Sequence, residues 1–192
     1  MRKIRIITDT HFGHSNMIQY CRRPVAFSEI ILSNLIKEYK PGDIMIHLGD
    51  ICIGSDAYWH RKLVESTPGV KRILVRGNHD KKSDSWYMDH GWDFVCENFV
   101  MYYSGKKIVF SHQPTILARN DINIHGHFHN HLNRLLSREW AVEGEEERNH
   151  YVLNDLTVNH VNISMEESNY HPVLLSKALA MRERQIKEWI NK

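Results

Sequence analysis

"DINIHGHFHNH", residues 121–131, joins a short apolar strand pattern to a run of alternating histidines: His125, His127, His129 and His131. In an extended chain, positions i, i+2, i+4 and i+6 share one face, so four imidazoles presented together invite a metal ion. A histidine-rich surface loop that binds transition metals weakly would show the same run. The rest of the chain decides between the two.

The same arrangement, a hydrophobic strand ending on a polar residue of metal-ligand type, occurs four more times. "KIRIIT" (3–8) stops at "DTHFGH", "DIMIHL" (43–48) at "GD", and "KRILVR" (71–76) at "GNHD". A hairpin, "FVMYYSGKKIVF" (99–110) with a Ser-Gly-Lys turn, stops at "SHQP".

Helical patterns lie between the strands. Ser28 is placed to cap a helix in which Ile31, Leu32, Leu35, Ile36 and Tyr39 recur at helical spacing before "KPGD" ends it, and further helices are expected at about 56–66 and 83–90. Alternation of strand and helix implies parallel pairing in the first half of the chain. The later hairpin and the strand "LTVNHVNISM" (156–165) imply antiparallel additions. The expected architecture is α/β, two packed sheets with helices outside. Residues 176–191, with Ala178, Leu179, Ile186, Trp189 and Ile190, form an amphipathic helix for an outer face.

A chain of 192 residues is read as a single domain spanning 1–192, long enough to bury roughly 70% of the surface exposed when unfolded. Cys21, Cys52 and Cys96 are scattered, odd in number and without C-x-x-C spacing, which fits a reducing, cytoplasmic setting rather than a disulfide framework. No run approaches the ~20 apolar residues of a membrane span, and "MRKIRIITD" enters a strand without a signal-peptide core. With 25 basic against 23 acidic residues, the net charge of +2 gives no strong nucleic-acid signal. Oligomeric state is not readable. Histidine is the outlier, with 14 copies, several beside Asp, Asn and Gly.

Ligands of open α/β sheets gather beyond the carboxyl ends of the strands. If the strands are neighbours, Asp9, His11, Asp50, Asn78, His112, His127 and His129 converge. Two carboxylates, one amide and four imidazoles exceed a single tetrahedral site and suit two ions sharing one carboxylate. Mixed nitrogen and oxygen ligands without thiolate fit Mn, Fe, Ni, Co or Zn. Two such ions about 3.5–4 Å apart can hold a bridging hydroxide at neutral pH and clamp a phosphate during in-line attack. That chemistry is phosphoester hydrolysis.

"DTH", "GD", "GNHD", "SH" and "GHFH", in that order, resemble the five motifs of the calcineurin-like metallophosphoesterase superfamily over roughly residues 4–129. The flanking "HFGHSNMIQYCRRPV" and "VNISMEESNYHPVLL" look like its small stand-alone bacterial and phage-type members. The resemblance implies a four-layer α/β/β/α sandwich of two mixed sheets. It also implies two divalent transition-metal ions, manganese foremost. One would be held by Asp9, His11, Asp50 and His129, the other by Asp50, Asn78, His112 and His127. His79 resembles the residue that contacts the phosphate and assists the leaving group, with Asp80 behind it to orient the ring.

The opening run is thereby divided. His127 and His129 match the motif, whereas His125 is expected to be structural and His131 an exposed neighbour. His14, three residues past His11, is expected in substrate contact or behind the ligands, with helix capping or packing as the other reading. Arg23 and Arg119 are candidate phosphate contacts, as are Arg22 and Lys81, each adjoining a motif. Residues 130–155 form a longer bridge than closure requires, either overhanging the metals or a surface excursion.

The expected activity is hydrolysis of phosphodiesters of small or nucleotide-like substrates. A nuclease or a phosphoprotein phosphatase would use the same site. A non-catalytic binding scaffold with a decayed metal site would be expected to have lost motif residues, and here every ligand position is filled; a non-catalytic metal-storage or sensor protein would not require His79 beside Asn78.

Overall fold

Side chains alternate across the first three long strands, β1 (Ile4–Ile7), β2 (Ile44–His47) and β3 (Lys71–Val75). Ile4, Ile6, Ile44, Ile46, Ile73 and Val75 point into one apolar layer, and Ile7, Met45 and Leu74 into another. A strand apolar on both faces must be covered on both, and the two layers show by what. On one side lie Ile31 and Leu35 of α2 (Phe27–Glu38), Leu63 of α3 (Asp56–Ser66) and Tyr87 of α4 (Asp84–Asp89). On the other lie Ile108, Phe110, Ile122, Ile124 and Val161 of a second sheet. Each fully buried Ile or Leu contributes roughly 1.5–3 kcal/mol relative to exposure.

The computed structural model describes residues 2–118, 121–131, 156–157 and 159–190. The first sheet has the order β4-β3-β2-β1-β9, with β4 at Phe94–Cys96 and β9 at Val173–Leu174. The second is β5 (Asn98–Tyr103), β6 (Lys106–Ser111), β7 (Ile122–His125) and β8 (His160–Asn162), paired in that order. In the first sheet β1 to β4 are parallel and β9 antiparallel; in the second only the β5–β6 hairpin is antiparallel. The result is an α/β/β/α sandwich of two mixed sheets. The tail helix α5 (Leu175–Ile190) touches β8 of one sheet and β9 and β1 of the other, so it seals the edge where both meet. A single turn, α1 (Met17–Tyr20), follows the first motif. Among the described residues no helix is long and apolar enough to cross a membrane.

Two expectations are corrected. The strand near 156–165 pairs with β7 in parallel, Asn123 opposite His160 and His125 opposite Asn162; the antiparallel addition to the first sheet is β9. Ser28 lies inside α2 and does not cap it: its hydroxyl accepts the main-chain N–H of Gly13 at 3.3 Å, pinning the first motif to that helix. Strands β4 and β9, three and two residues long, carry too little periodicity to be seen in the sequence. Of the expected bridge at 130–155, residues 132–155 lie outside the described residues, as does Arg119.

Candidate metal centre

Strands β1, β2 and β3 run parallel, as do β6 and β7, so their carboxyl ends and the loops that follow face the same way. Main-chain bonds stitch these loops together: Asp9 N–H donates to Gly49 O at 2.9 Å, His11 N–H to Asp50 O at 3.0 Å, and Gly126 N–H to His112 O at 2.9 Å. The glycines of "GNHD" and "GHFH" have a steric reason. A Cβ on Gly77 would run into the Asp50 carboxylate, and one on Gly126 into Thr8 Oγ1 and Asp9 Oδ2.

All seven expected ligands come together. Asp9, His11 and His129 form one group whose ligand atoms all lie within 4.8 Å of one another, and Asp50, His112 and His127 form a second. Asn78 joins the second group, its Oδ1 3.0 Å from His112 Nε2, which also stands 3.1 Å from His127 Nδ1. Asp50 Oδ2 lies between the groups, 3.6 Å from His11 Nε2 and 3.5 Å from His112 Nε2.

The backbone bends sharply to achieve this. Asp9, His11, Asp50, His127 and His129 all have left-handed φ, between 44° and 72°, a region disfavoured for residues bearing a Cβ. Such conformations persist where surrounding bonds fix them, and they concentrate at functional sites. Here His79 N–H donates to Asp50 Oδ1 at 2.8 Å, and Thr8 Oγ1 (2.6 Å) and His127 N–H (3.0 Å) donate to Asp9 Oδ2.

The donor set fits divalent cations. His112 donates Nδ1–H to Leu48 O at 2.7 Å, which fixes the tautomer and leaves its Nε2 lone pair facing the second group. Asp9 Oδ1 is buried without a hydrogen-bond partner and faces the Nε2 atoms of His11 (3.9 Å) and His129 (3.7 Å). Burial would raise the Asp9 carboxyl, but the imidazoles of His129, His112 and His11 hold it below the usual carboxylate range. Burial pushes Asp50 up to about 6 against the pull of His112. His127 is lowered to about 4 by burial and by His112, whereas His129, despite burial, is pushed up to about 10 chiefly by Asp9. The buried Asp9 carboxylate that draws the His129 imidazole toward its cationic form is negative charge that a divalent ion would neutralise.

His79 stands outside both groups. Its side chain is 43% exposed and its Nε2 is 3.9 Å from Asp50 Oδ2. His14 is half-buried beside it, its ring 5.5 Å from that of His11 and 6.5 Å from that of His79. His125 is buried, its ring edge-on to Phe128, and lies in neither ligand group. Arg22 and Lys81 are exposed.

Two expected roles change. Asp80 does not touch the His79 ring: its carboxylate accepts main-chain N–H bonds from Asp50 (2.8 Å), Gly77 (2.8 Å) and Ile51 (3.2 Å), because three donors of the tight loops converge on it. Arg23 is buried, with its guanidinium bonded to Asp9 O (2.7 Å), Thr10 O (2.9 Å) and Glu166 Oε1 (2.8 Å), so it is spent inside the fold and does not reach out to substrate. Glu166, which accepts from His129 Nδ1 at 3.3 Å, went unnoticed in the sequence. The only hint there is an acid one turn past a buried strand end, in "SMEES" (164–168).

A model of the calcineurin-like phosphoesterase family matches residues 2–187. The chain belongs to this family. It is 31% identical over 192 residues to uncharacterized protein MJ1445 of Methanocaldococcus jannaschii, over 96% of this chain and 93% of that protein. Its fold is similar to that of AQ665, a protein of unknown function from Aquifex aeolicus, with a TM-score of 0.64 and 27% identity over 98% of this chain and 100% of the other. Nuclease MPE of Pseudomonas putida is more distant, at a TM-score of 0.49 and 20% identity over 67% of this chain and 62% of that one. Phosphoester hydrolysis at a divalent-metal site is the family's chemistry, and this chain has candidate ligand groups for it.

Proposed function

We propose that this calcineurin-like phosphoesterase binds two divalent transition-metal ions that share Asp50, manganese foremost with Fe, Ni, Co or Zn as alternatives, and hydrolyses phosphodiesters of small or nucleotide-like substrates. The observation that carries this is the position of Asp50 Oδ2, 3.6 Å from His11 Nε2 on one side and 3.5 Å from His112 Nε2 on the other. Asp9, His11 and His129 complete one ligand set around that oxygen; Asn78, His112 and His127 complete the other. When bound there, such ions would supply an activated water and neutralise charge on the phosphate.

The protein's own groups do the rest. His79, anchored through its N–H to Asp50 Oδ1 but with its ring at the mouth, is placed to give a proton or positive charge to the leaving oxygen. Next to His79 and His11 stands the imidazole of His14, whereas the guanidinium of Arg23 is turned inward. The scattered cysteines support a reducing, cytoplasmic setting for this activity.

The test is to reload metal-free protein with Mn and measure bound metal and turnover across mononucleotides, cyclic nucleotides, dinucleotides and generic diesters. Two ions per chain and faster turnover of diesters than monoesters are expected. Saturation at one ion, with Asp50→Ala fully active, would overturn the shared-ligand reading.

A further inference from the structure

Arg23 and Glu166 are 143 residues apart and form an ion pair in which the side chains are 0% and 7% exposed. Besides Glu166 Oε1, the planar guanidinium binds the carbonyls of Asp9 and Thr10, and its Nη2 stands 3.4 Å from His129 Nδ1, a contact between two donors once that nitrogen gives its proton to Glu166. It therefore holds the main chain of a segment in which Asp9 and His11 both have left-handed φ, 48° and 44°. Glu166 works on the other half of the same ligand group. Its Oε1 accepts from His129 Nδ1 at 3.3 Å while Oε2 accepts from Ser164 Oγ at 2.7 Å, which leaves His129 Nε2 turned toward Asp9 Oδ1 at 3.7 Å.

We infer that Arg23 and Glu166 are positioning residues for the first ligand group, setting the tautomer and ring direction of His129 and the bend of Asp9–His11, so that metal binding at that group depends on the pair and binding at the second group does not. This rests on the two-ion reading above. A carboxylate behind a ligating imidazole fixes which nitrogen carries the proton and raises the basicity of the other, and its loss typically weakens metal binding by about 10- to 100-fold. The second group has its own support in the Leu48 carbonyl behind His112 and touches neither member of the pair.

Cys21, His129 and Glu166 also place ligand atoms within 4.8 Å of one another. An ion there would have to displace Arg23 from Glu166 Oε1 and take the Nδ1 proton of His129. The geometry as it stands favours positioning.

The experiment is calorimetric Mn titration of metal-free protein, with bound metal counted and apo-protein Tm recorded, for the parent, Glu166→Gln, Arg23→Lys, Ser164→Ala and Cys21→Ser. Expected is a parent with two sites, of which one weakens about 10-fold or more in Glu166→Gln and Arg23→Lys and less in Ser164→Ala, while the other is unchanged and apo Tm moves little. Ser164→Ala keeps both charges and covers the case in which the other variants fail to fold. A parent that binds fewer than two ions defeats the two-ion reading itself. Two parental sites that remain unchanged in folded variants, a lowered Tm with unchanged affinities, or a third ion abolished by Cys21→Ser would each overturn the positioning role while leaving that reading intact.

Discussion

The carboxylate of Asp80 accepts the main-chain N–H of Asp50 at 2.8 Å, so one buried acid anchors the loop that presents another. The same carboxylate takes the N–H groups of Gly77 and Ile51, tying the loop after β3 to the loop after β2. Asp80→Ala would leave three inward-facing donors unpaired. At about 1–3 kcal/mol for each buried unsatisfied group, the loss should be roughly 3 kcal/mol or more. In a domain of this size that corresponds to a fall in Tm of about 10 °C, measurable by calorimetry. Asp80→Asn, which retains one accepting oxygen, should lose less, and an unchanged Tm in Asp80→Ala would contradict this account.

His79 should behave differently, since it is nearly half exposed and belongs to neither ligand group. His79→Ala should keep its full metal content. Its kcat should fall by about 10²- to 10⁴-fold, on the order of 3–5 kcal/mol of transition-state stabilisation. A nitrophenyl diester, whose leaving group scarcely needs protonation, should suffer less than an alkyl or nucleoside ester if the ring acts as an acid, and equally if it stabilises charge. Loss of an ion from this variant would show that the ring is a ligand.

Gly126 is predicted to tolerate no side chain, because a Cβ there meets Thr8 Oγ1 and the Asp9 carboxylate. Gly126→Ala should cost about 1–3 kcal/mol of stability, as overpacking does, and should weaken metal binding at the Asp9 group more than at the Asp50 group. Equal weakening at both groups in metal titration would count against this local explanation.

His60 should contribute to acid sensitivity. It is buried, accepts from Trp92 Nε1 at 2.9 Å, and burial lowers it from 6.5 to about 4. A histidine held neutral when folded takes up its proton more readily when unfolded. Its contribution is therefore complete above about pH 6.5 and is lost as pH falls from there toward 4. In urea titrations His60→Gln should show a shallower loss of stability than the parent between pH 6.5 and 4, and parallel pH profiles would refute it.

The sequence by itself determined the elements that depend on neighbours along the chain. Residues 3–8, 43–48 and 71–76 are short apolar, β-branched runs that read as strands, and Asp9, Asp50, Asn78, His112 and His127 follow their strands within a few residues, so strand ends and ligands were legible together. Only the tertiary structure decided what depends on residues far apart. Whether Asp80 faces the His79 ring or three main-chain N–H groups, and whether Arg23 reaches a substrate or the buried Glu166, turns on which loops meet at one edge of the sandwich. The direction of β8 was hidden for the same reason, since a strand's own pattern is identical whichever way it pairs, and only its register against β7 shows the pairing to be parallel.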